Sequence, residues 1–380
     1  MDSDQGELAF VLGGGGARGA YQIGFLRHLA QRYPDLRVPI LTGVSAGGIN
    51  AAFLANFSGS FAESVEHLTS LWCKLSVDQV FRVDSVSLLG HLFRWAAQIT
   101  VLGGRRGFPQ VRGFVDADPL RGFLESGFAS SDGALSGIDA NLASGDLRAV
   151  ALTTTRYSTG QTVTWFQGRQ IEAWERPQRV SVKRTLRVEH VLASVSLPLF
   201  FPAVEIEGDW YGDGGIRLHS PLAPAVHLGA GKMIAISTRH GRNREEAARP
   251  VVRGYPPPAQ LLGVLYNSIF LDLLDQDAIH LERINRLIAE RPASVSPDLR
   301  PVELLVLRPS EDLATLARDY EPRLPRMFRE LTRRLGTRET RSPDILSIIM
   351  FQGDYIEKMI DLGQADADAR ADEIARIIES

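Results

Sequence analysis

Short runs of continuous apolar residues recur along the chain, and stretches with the helical period of about 3.6 residues lie between them. The runs with the length and composition of strands are Leu8–Leu12, Val38–Thr42, Leu147–Thr155, Gln161–Phe166, Lys232–Thr238 and Val302–Leu307. Helices are expected near residues 20–31 and from residue 46 onward. Continuous apolar strands separated by helices are typical of a mostly parallel sheet that is covered on both faces. The pattern therefore predicts an α/β fold.

The second half of the chain has a different pattern. Residues 203–207 and 210–212, joined by Gly208-Asp209, predict a β-hairpin. Past residue 258 the chain is mainly helical, and we expect the apolar run 259–288 to be core helix and the basic stretch 323–341 to be a helix with one solvated face.

These patterns suggest one core with additions. We predict a catalytic core over residues 1–241, with an apolar, lid-like insertion near residues 84–115. Residues 242–380 are expected to form a mainly helical elaboration packed on the same core, with a strand near residues 302–307.

Composition and charge narrow the class of protein. The chain has 380 residues, of which 44% are hydrophobic and 23% charged, with a net charge of −3. These values are ordinary for a globular protein, and we expect no nucleic-acid partner. The single cysteine, Cys73, excludes an internal disulfide and a multi-cysteine metal site. The first strand leaves no room for a signal peptide, and no run approaches the ~18 apolar residues of a membrane span. We expect a cytoplasmic protein, and a lipid substrate would add peripheral membrane contact.

A glycine-rich loop follows the first strand. Gly14-x-Gly16-x-x-Gly19 matches the fingerprint of a dinucleotide-binding loop. A P-loop would need a lysine after the glycines, and none is present. A dinucleotide site also needs an acidic residue after the second strand, whereas Asp35 precedes that strand. Dinucleotide binding therefore remains a weaker alternative.

The second strand runs directly into Gly43-Val44-Ser45-Ala46-Gly47, which has the G-x-S-x-G pattern of a nucleophile elbow. The pattern requires a strand before it and a helix after it, and both are predicted here. Gly43 and Gly47 suit a sharp turn in which neighbouring Cβ atoms would collide. Ser45 is the candidate nucleophile.

The loop and the elbow explain each other. Attack by Ser45 on a carbonyl creates an oxyanion, which needs preorganised N–H donors. Backbone amides of Gly14, Gly15 and Gly16, at the start of a helix beside the next strand, are candidates for this oxyanion hole.

Two residues are candidates for the base that takes the serine proton. His219 would complete a Ser-His-Asp triad, whereas Asp213, on the glycine-rich turn after the hairpin, would act directly. The residues alone leave both open.

Four blocks together resemble the patatin-like phospholipases: GGGGARGAYQIGFL from residue 13, GVSAGG from 43, ASVSLP from 193 and DGG from 213. Residues 354–367 are similar to the C-terminal helices of that family. The resemblance implies a three-layer α/β fold distinct from that of ordinary α/β-hydrolases, and a Ser–Asp dyad without histidine. It assigns the nucleophile to Ser45, the base to Asp213, the oxyanion hole to Gly14, Gly15 and Gly16, and support of the loop to Arg18.

The function that we expect is hydrolysis of fatty-acyl esters in phospholipid or lysophospholipid, with no metal or organic cofactor and without dependence on calcium. The alternatives are a carboxylesterase or thioesterase acting on other acyl substrates, a dinucleotide-binding protein, and a lipid-binding module without turnover. The apolar residues 86–103 have two interpretations, a lid or membrane contact on one hand and a packed helix on the other.

Overall fold

The computed structural model describes residues 6–80, 116–130, 132–198, 200–270, 272–290 and 299–380. The predicted insertion near residues 84–115 lies outside these ranges. The strands are β1 Glu7–Leu12, β2 Ile40–Val44, β3 Ala149–Arg156, β4 Thr162–Gly168, β5 Glu175–Arg176, β6 Arg179–Lys183, β7 Val204–Ile206, β8 Asp209–Asp213, β9 Ala230–Ile236 and β10 Glu303–Leu307.

Helices connect and cover these strands. They are α1 Ala20–Arg32, α2 Ala46–Asn56, α3 Phe61–Lys74, α4 Val77–Val80, α5 Asp118–Gly127, α6 Ser136–Ser144, α7 Val188–Val195, α8 Ala223–Leu228, α9 Arg244–Ala248, α10 Pro258–Phe270, α11 Leu273–Ala289, α12 Leu313–Tyr320, α13 Arg326–Arg334, α14 Asp344–Ile349, α15 Gly353–Ala369 and α16 Ala371–Glu379. Short 3-10 turns lie at Gly16–Gly19, Gly214–Arg217, Glu321–Arg323 and Thr337–Glu339.

The strands form a single mixed sheet in the order β10-β9-β1-β2-β3-β4-β6-β5, and β8 pairs with both β3 and β7. From β10 to β3 all neighbours are parallel. Strands β4 and β8 run antiparallel to β3. The predicted hairpin forms from β7 and β8, and the predicted strand near residue 302 joins the edge of the sheet beside β9.

The side chains of each central strand alternate between two cores. In β1, Phe10 and Leu12 enter one hydrophobic cluster, whereas Ala9 and Val11 enter the cluster on the other face. Both faces are covered by helices, which explains why the strands read as continuous apolar runs in the sequence. The predicted α/β fold with a mostly parallel central sheet flanked by helices is confirmed.

The C-terminal helix α15 packs on α1, the helix that follows β1. Helix α15 crosses α1 so closely that a Cβ atom at Gly24 would lie 1.9 Å from the carbonyl oxygen of Ile360. Both Ile356 and Ile360 are buried in the main core. This contact brings the chain after residue 340 next to the loop that follows β1.

The apolar run at 259–288 differs from the expectation of a continuous core helix. It divides into α10 and α11, and in α10 only Ala259, Gly263 and Tyr266 are buried. Four aliphatic side chains of α10 are exposed to solvent, at Leu261, Leu262, Val264 and Leu265. High apolar content predicted burial, but nothing in the described part of the chain packs over that side of the helix.

Candidate active site

Ser45 lies at the tight turn between β2 and α2. Its backbone has φ 54° and ψ −131°, a conformation that costs a residue with a side chain of order 1–3 kcal/mol. The turn is too tight for neighbouring side chains: a Cβ at Gly47 would lie 2.1 Å from the Leu12 carbonyl oxygen. A Cβ at Gly43 would lie 2.3 Å from the carbonyl oxygen of Gly47. The strained turn therefore accounts for both glycines of the elbow.

Ser194 fixes the backbone of this turn. The Ser45 N–H donates to the Ser194 hydroxyl at 3.0 Å, and that hydroxyl donates to the carbonyl of Thr153 at 2.8 Å. Ser194 is fully buried, so both bonds are shielded from water. The sequence offered a signal in the ASVSLP block, but no local pattern ties residue 194 to residue 45.

The carbonyl groups of Gly13, Gly14 and Gly15 are engaged inside the protein. Gln22 donates to the Gly13 carbonyl at 2.8 Å, and Thr238 donates to that of Gly14 at 2.6 Å. The Gly15 carbonyl accepts from the backbone N–H of Arg18. By contrast, no described residue accepts a hydrogen bond from the amides of Gly14, Gly15 or Gly16. The loop thus holds its acceptors inward and keeps three donors available.

The structure brings this loop against the serine. A Cβ built on Gly14 would lie 3.0 Å from Ser45 Cβ and 3.7 Å from its Oγ. Gly16 has φ 57°, and a side chain there would meet the Ile348 carbonyl oxygen at 2.3 Å. The loop therefore approaches both the elbow and α14 more closely than any residue with a side chain would allow.

Arg18 anchors the loop to α14. Its guanidinium donates to an Asp344 carboxylate oxygen at 2.6 Å and to the Ser347 hydroxyl at 2.7 Å, and the arginine is buried. Burial disfavours the charged guanidinium, but the pKa of Arg18 still lies above its ordinary value because Asp344 more than offsets that cost. Asp344 also accepts from Asn267 of α10 at 2.8 Å. No sequence pattern connects residues so far apart in the chain.

Asp213 ends β8, which pairs with the same edge of β3 as β2 does, because β4 occupies the other edge along Ala149–Thr155. Its partner in the ladder is Thr154, while Val44, the residue before the serine, pairs with Thr153. The carboxylate is fully buried and accepts from the Gly215 N–H at 2.8 Å through Oδ1. The ends of β2 and β8 therefore face each other at consecutive positions along one edge of β3, which brings Asp213 to the elbow.

The environment of Asp213 suits a base. Burial raises the pKa of Asp213 to about 7, and hydrogen bonding from Ser45 and Gly215 opposes that rise. Because the Ser45 hydroxyl lowers the pKa of Asp213, this hydroxyl lies close to the carboxylate. Oδ2 nevertheless meets no donor among the described residues at the geometry of a well-formed hydrogen bond. Such contacts are often loose before substrate binds.

The competing candidates lie elsewhere. His219 is exposed after the 3-10 turn, and it has no part in setting the pKa of Asp213. Asp35 is exposed before β2, at the sheet edge opposite the glycine loop. A ribose-binding acid would be needed at the carboxyl end of that strand, where Ser45 begins the elbow.

An apolar pocket opens beside Ser45. Its lining includes Ile49, Trp72, Leu120, Phe201 and Ile349 together with Gly16 and Ser45 itself.

In the described ranges no group of three or more His, Cys, Asp or Glu residues could hold a metal ion. None of the described helices is both long and apolar enough to cross a bilayer.

Fold and site together define a class: an α/β protein with an elbow serine, an amide-rich loop and a buried acid meeting at the carboxyl edge of the sheet. The sequence matches the family described as Patatin-like phospholipase over residues 10–226, more than half of the chain. The chain belongs to the patatin-like phospholipase family, which supports activity as a lipid acyl hydrolase.

More distant likenesses exist among solved structures. Human GIVD cytosolic phospholipase A2 is 11% identical with a TM-score of 0.48, and the match covers 100% of this chain and 60% of that one. VipD from Legionella pneumophila is 11% identical with a TM-score of 0.34, covering 93% of this chain and 67% of that one. This chain thus spans about 60% of the length of the human enzyme. No sequence among the curated proteins matches it.

Proposed function

We propose that the chain is a serine acyl hydrolase that releases fatty acid from phospholipid or lysophospholipid through a Ser45–Asp213 dyad. The observation that carries the proposal is the buried Asp213 carboxylate, whose pKa is raised to about 7 beside the hydroxyl of a strained serine. An unshifted aspartate would be a poor base for an alcohol, whereas a base with a pKa near the working pH is efficient.

The reaction would run in two halves. Ser45 Oγ attacks the ester carbonyl carbon while its proton passes to Asp213, and the resulting oxyanion accepts from the amides of Gly14, Gly15 and Gly16. Collapse of this intermediate breaks the ester bond, and Asp213 returns the proton to the departing alcohol. Water then attacks the acyl-enzyme by the same route, which releases the fatty acid and restores the serine.

The pocket beside Ser45 supports an acyl substrate. Its aliphatic and aromatic lining suits a hydrocarbon chain, and none of the described residues that line it is charged. Arg18 would act as a positioning residue, because its bonds to Asp344 and Ser347 hold the loop that carries the amide donors. Carboxylesterase or thioesterase activity on other acyl groups would use the same residues. In the same proposal, residues 1–241 carry the catalytic core and residues 242–380 support it.

The experiment is labelling with a fluorophosphonate probe followed by fatty-acid release across a panel of phospholipids, lysophospholipids, neutral esters and thioesters. We expect labelling of the wild-type chain, no labelling of Ser45→Ala, and loss of turnover in Asp213→Asn. His219→Ala is the matched control and should keep most of the activity. Loss of turnover in His219→Ala with retention in Asp213→Asn would overturn the dyad, and release from thioesters alone would overturn the substrate class.

A further inference from the structure

Helix α10 presents an unusual surface for a protein in water. Leu261, Leu262, Val264 and Leu265 are all exposed, with Leu261 47% and Leu265 56% accessible. At about 100° per residue these four side chains span an arc of about 160° on one side of the helix. Contiguous exposed apolar surface of this kind marks an interaction site. We call these four residues the α10 face.

The opposite side of α10 forms part of the candidate active site. Tyr266 lines the pocket beside Ser45. A Cβ at Gly215 would lie 2.2 Å from the ring of Phe270, so this ring packs against the turn that carries Asp213. Asn267 donates to Asp344, the partner of Arg18. A partner that contacts the α10 face is therefore separated from the candidate active site by the width of one helix.

The chain that leads into and through α10 carries charge of one sign. No acidic residue occurs between Glu246 and Asp272, whereas Arg249 and Arg253 lie in that interval. Arg253 is exposed and forms no ion pair with a described residue. Tyr255, between Arg253 and the helix, is 90% exposed. Tyrosine and arginine beside an apolar helix face are typical of segments that lie at a membrane surface.

We propose that the α10 face docks the protein on an anionic phospholipid surface and so delivers lipid to the pocket beside Ser45. The proposal rests on the lipid substrate proposed above. Helix α10 has 13 residues and a length of about 20 Å, too short for a hydrocarbon core of about 30 Å. It would lie in the plane of the interface, with the four aliphatic side chains among the acyl chains and Arg253 at the head groups.

The neighbouring helix supplies a matched control. Helix α11 also exposes aliphatic side chains, with Ile284 48% and Leu287 55% accessible. These values are almost equal to those of Leu261 and Leu265, but α11 carries charges of both signs, at Asp275, Asp277, Glu282, Arg283 and Arg286. Because the exposure of the two pairs is nearly equal, substitution of the α11 pair measures what general surface hydrophobicity contributes to vesicle binding.

The experiment measures co-sedimentation with vesicles of phosphatidylcholine alone and of phosphatidylcholine with phosphatidylglycerol. All proteins carry Ser45→Ala, so binding is read without hydrolysis and a failure of the proposed reaction leaves the result intact. We expect Leu261→Ser with Leu265→Ser to weaken binding at least about thirtyfold, since two aliphatic side chains lose their transfer into lipid. Ile284→Ser with Leu287→Ser should bind as the parent does. Arg253→Glu should weaken binding only to vesicles with phosphatidylglycerol, and added salt should have the same effect.

Each other outcome overturns the proposal. Absence of binding by the parent protein, or equal weakening by both double variants, would remove the special role of the α10 face. A dimer in solution that the Leu261 and Leu265 substitutions convert to a monomer, with vesicle binding unchanged, would make the face a contact between copies. If Leu261→Ser with Leu265→Ser lowers Tm as much as a core substitution does, another part of the same chain covers the α10 face.

Discussion

The substitution Asp213→Asn should raise the free energy of unfolding and at the same time lower the rate of turnover. The carboxylate is fully buried, and among the described residues it accepts one well-formed hydrogen bond, from the Gly215 N–H, while the nearby Ser45 hydroxyl lowers its pKa further. Since burial raises the pKa of Asp213 from the ordinary 3.8 to about 7, the folded state disfavours the ionised form. An asparagine has the same shape, still accepts from Gly215 and carries no charge.

The magnitude follows from linkage. A folded pKa above the unfolded one means that the stability due to the protonated group is complete below about pH 4 and is lost as pH rises through 7. The interval between 3.8 and about 7 corresponds to about 4 kcal/mol at about 1.4 kcal/mol per pH unit. Relative to wild type, Asp213→Asn should therefore gain about 3 kcal/mol in free energy of unfolding between about pH 5 and about pH 9.

Urea unfolding of both proteins at several pH values between these limits measures this difference. Asp209→Asn, on the same strand but open to solvent, is the matched control and should have a small effect at every pH. Turnover by Asp213→Asn should fall by about 10²–10⁴, the usual contribution of a general base. A stability difference that does not change with pH would refute the reasoning, because the carboxylate would then not be an uncompensated buried charge.

Four further predictions concern the same site. For the wild-type enzyme, kcat/KM should rise with pH to a plateau with a midpoint near 7, because Asp213 must be ionised to take the proton; a midpoint near 4 would contradict this. Ser194→Ala should destabilise the fold by about 1–3 kcal/mol and lower kcat, since the Ser45 amide and the Thr153 carbonyl lose their partner. Ser196→Ala, whose hydroxyl reaches only the Leu192 carbonyl, should leave kcat unchanged. Asp344→Asn leaves the buried Arg18 charge without its counter-ion and should cost about 3–5 kcal/mol in urea unfolding, an effect that high salt should not restore. Treatment with a calcium chelator should leave fatty-acid release unchanged, and loss that calcium reverses would contradict the proposed chemistry.

Local patterns were sufficient for most of the sheet and for the two motifs that carry the proposed chemistry, but β5 and β6 were missed because they are short and carry charged residues. Each predicted strand is present within a few residues of its expected bounds, because buried parallel strands require the continuous apolar runs that the sequence contains. The elbow glycines and the loop glycines could be recognised because a tight turn and a close approach of backbones exclude side chains at defined spacings.

Contacts between distant parts of the chain could not be read in this way. Arg18 and Asp344 are separated by 326 residues, and Ser45 and Ser194 by 149, so no periodicity relates them. Helix α10 shows the converse limit. Its apolar content is typical of a core helix, but hydrophobicity alone does not determine whether protein, lipid or water covers a face.

The strand order explains how an aspartate can replace a histidine in the proposed dyad. Because β8 is antiparallel to β3 and continues along the same edge of β3 where parallel β2 ends, the carboxyl ends of β2 and β8 meet, and Asp213 reaches the elbow from within the sheet. No lysine, arginine or histidine in the described part of the chain contributes to the pKa of Asp213, so none of them offsets the effect of burial. A cation near enough to stabilise the ionised carboxylate would lower that pKa and weaken the base. In the proposed mechanism the base would therefore owe its raised pKa to burial without a cation among the described residues, and the uncharged amides of the glycine loop would stabilise the developing negative charge on the substrate.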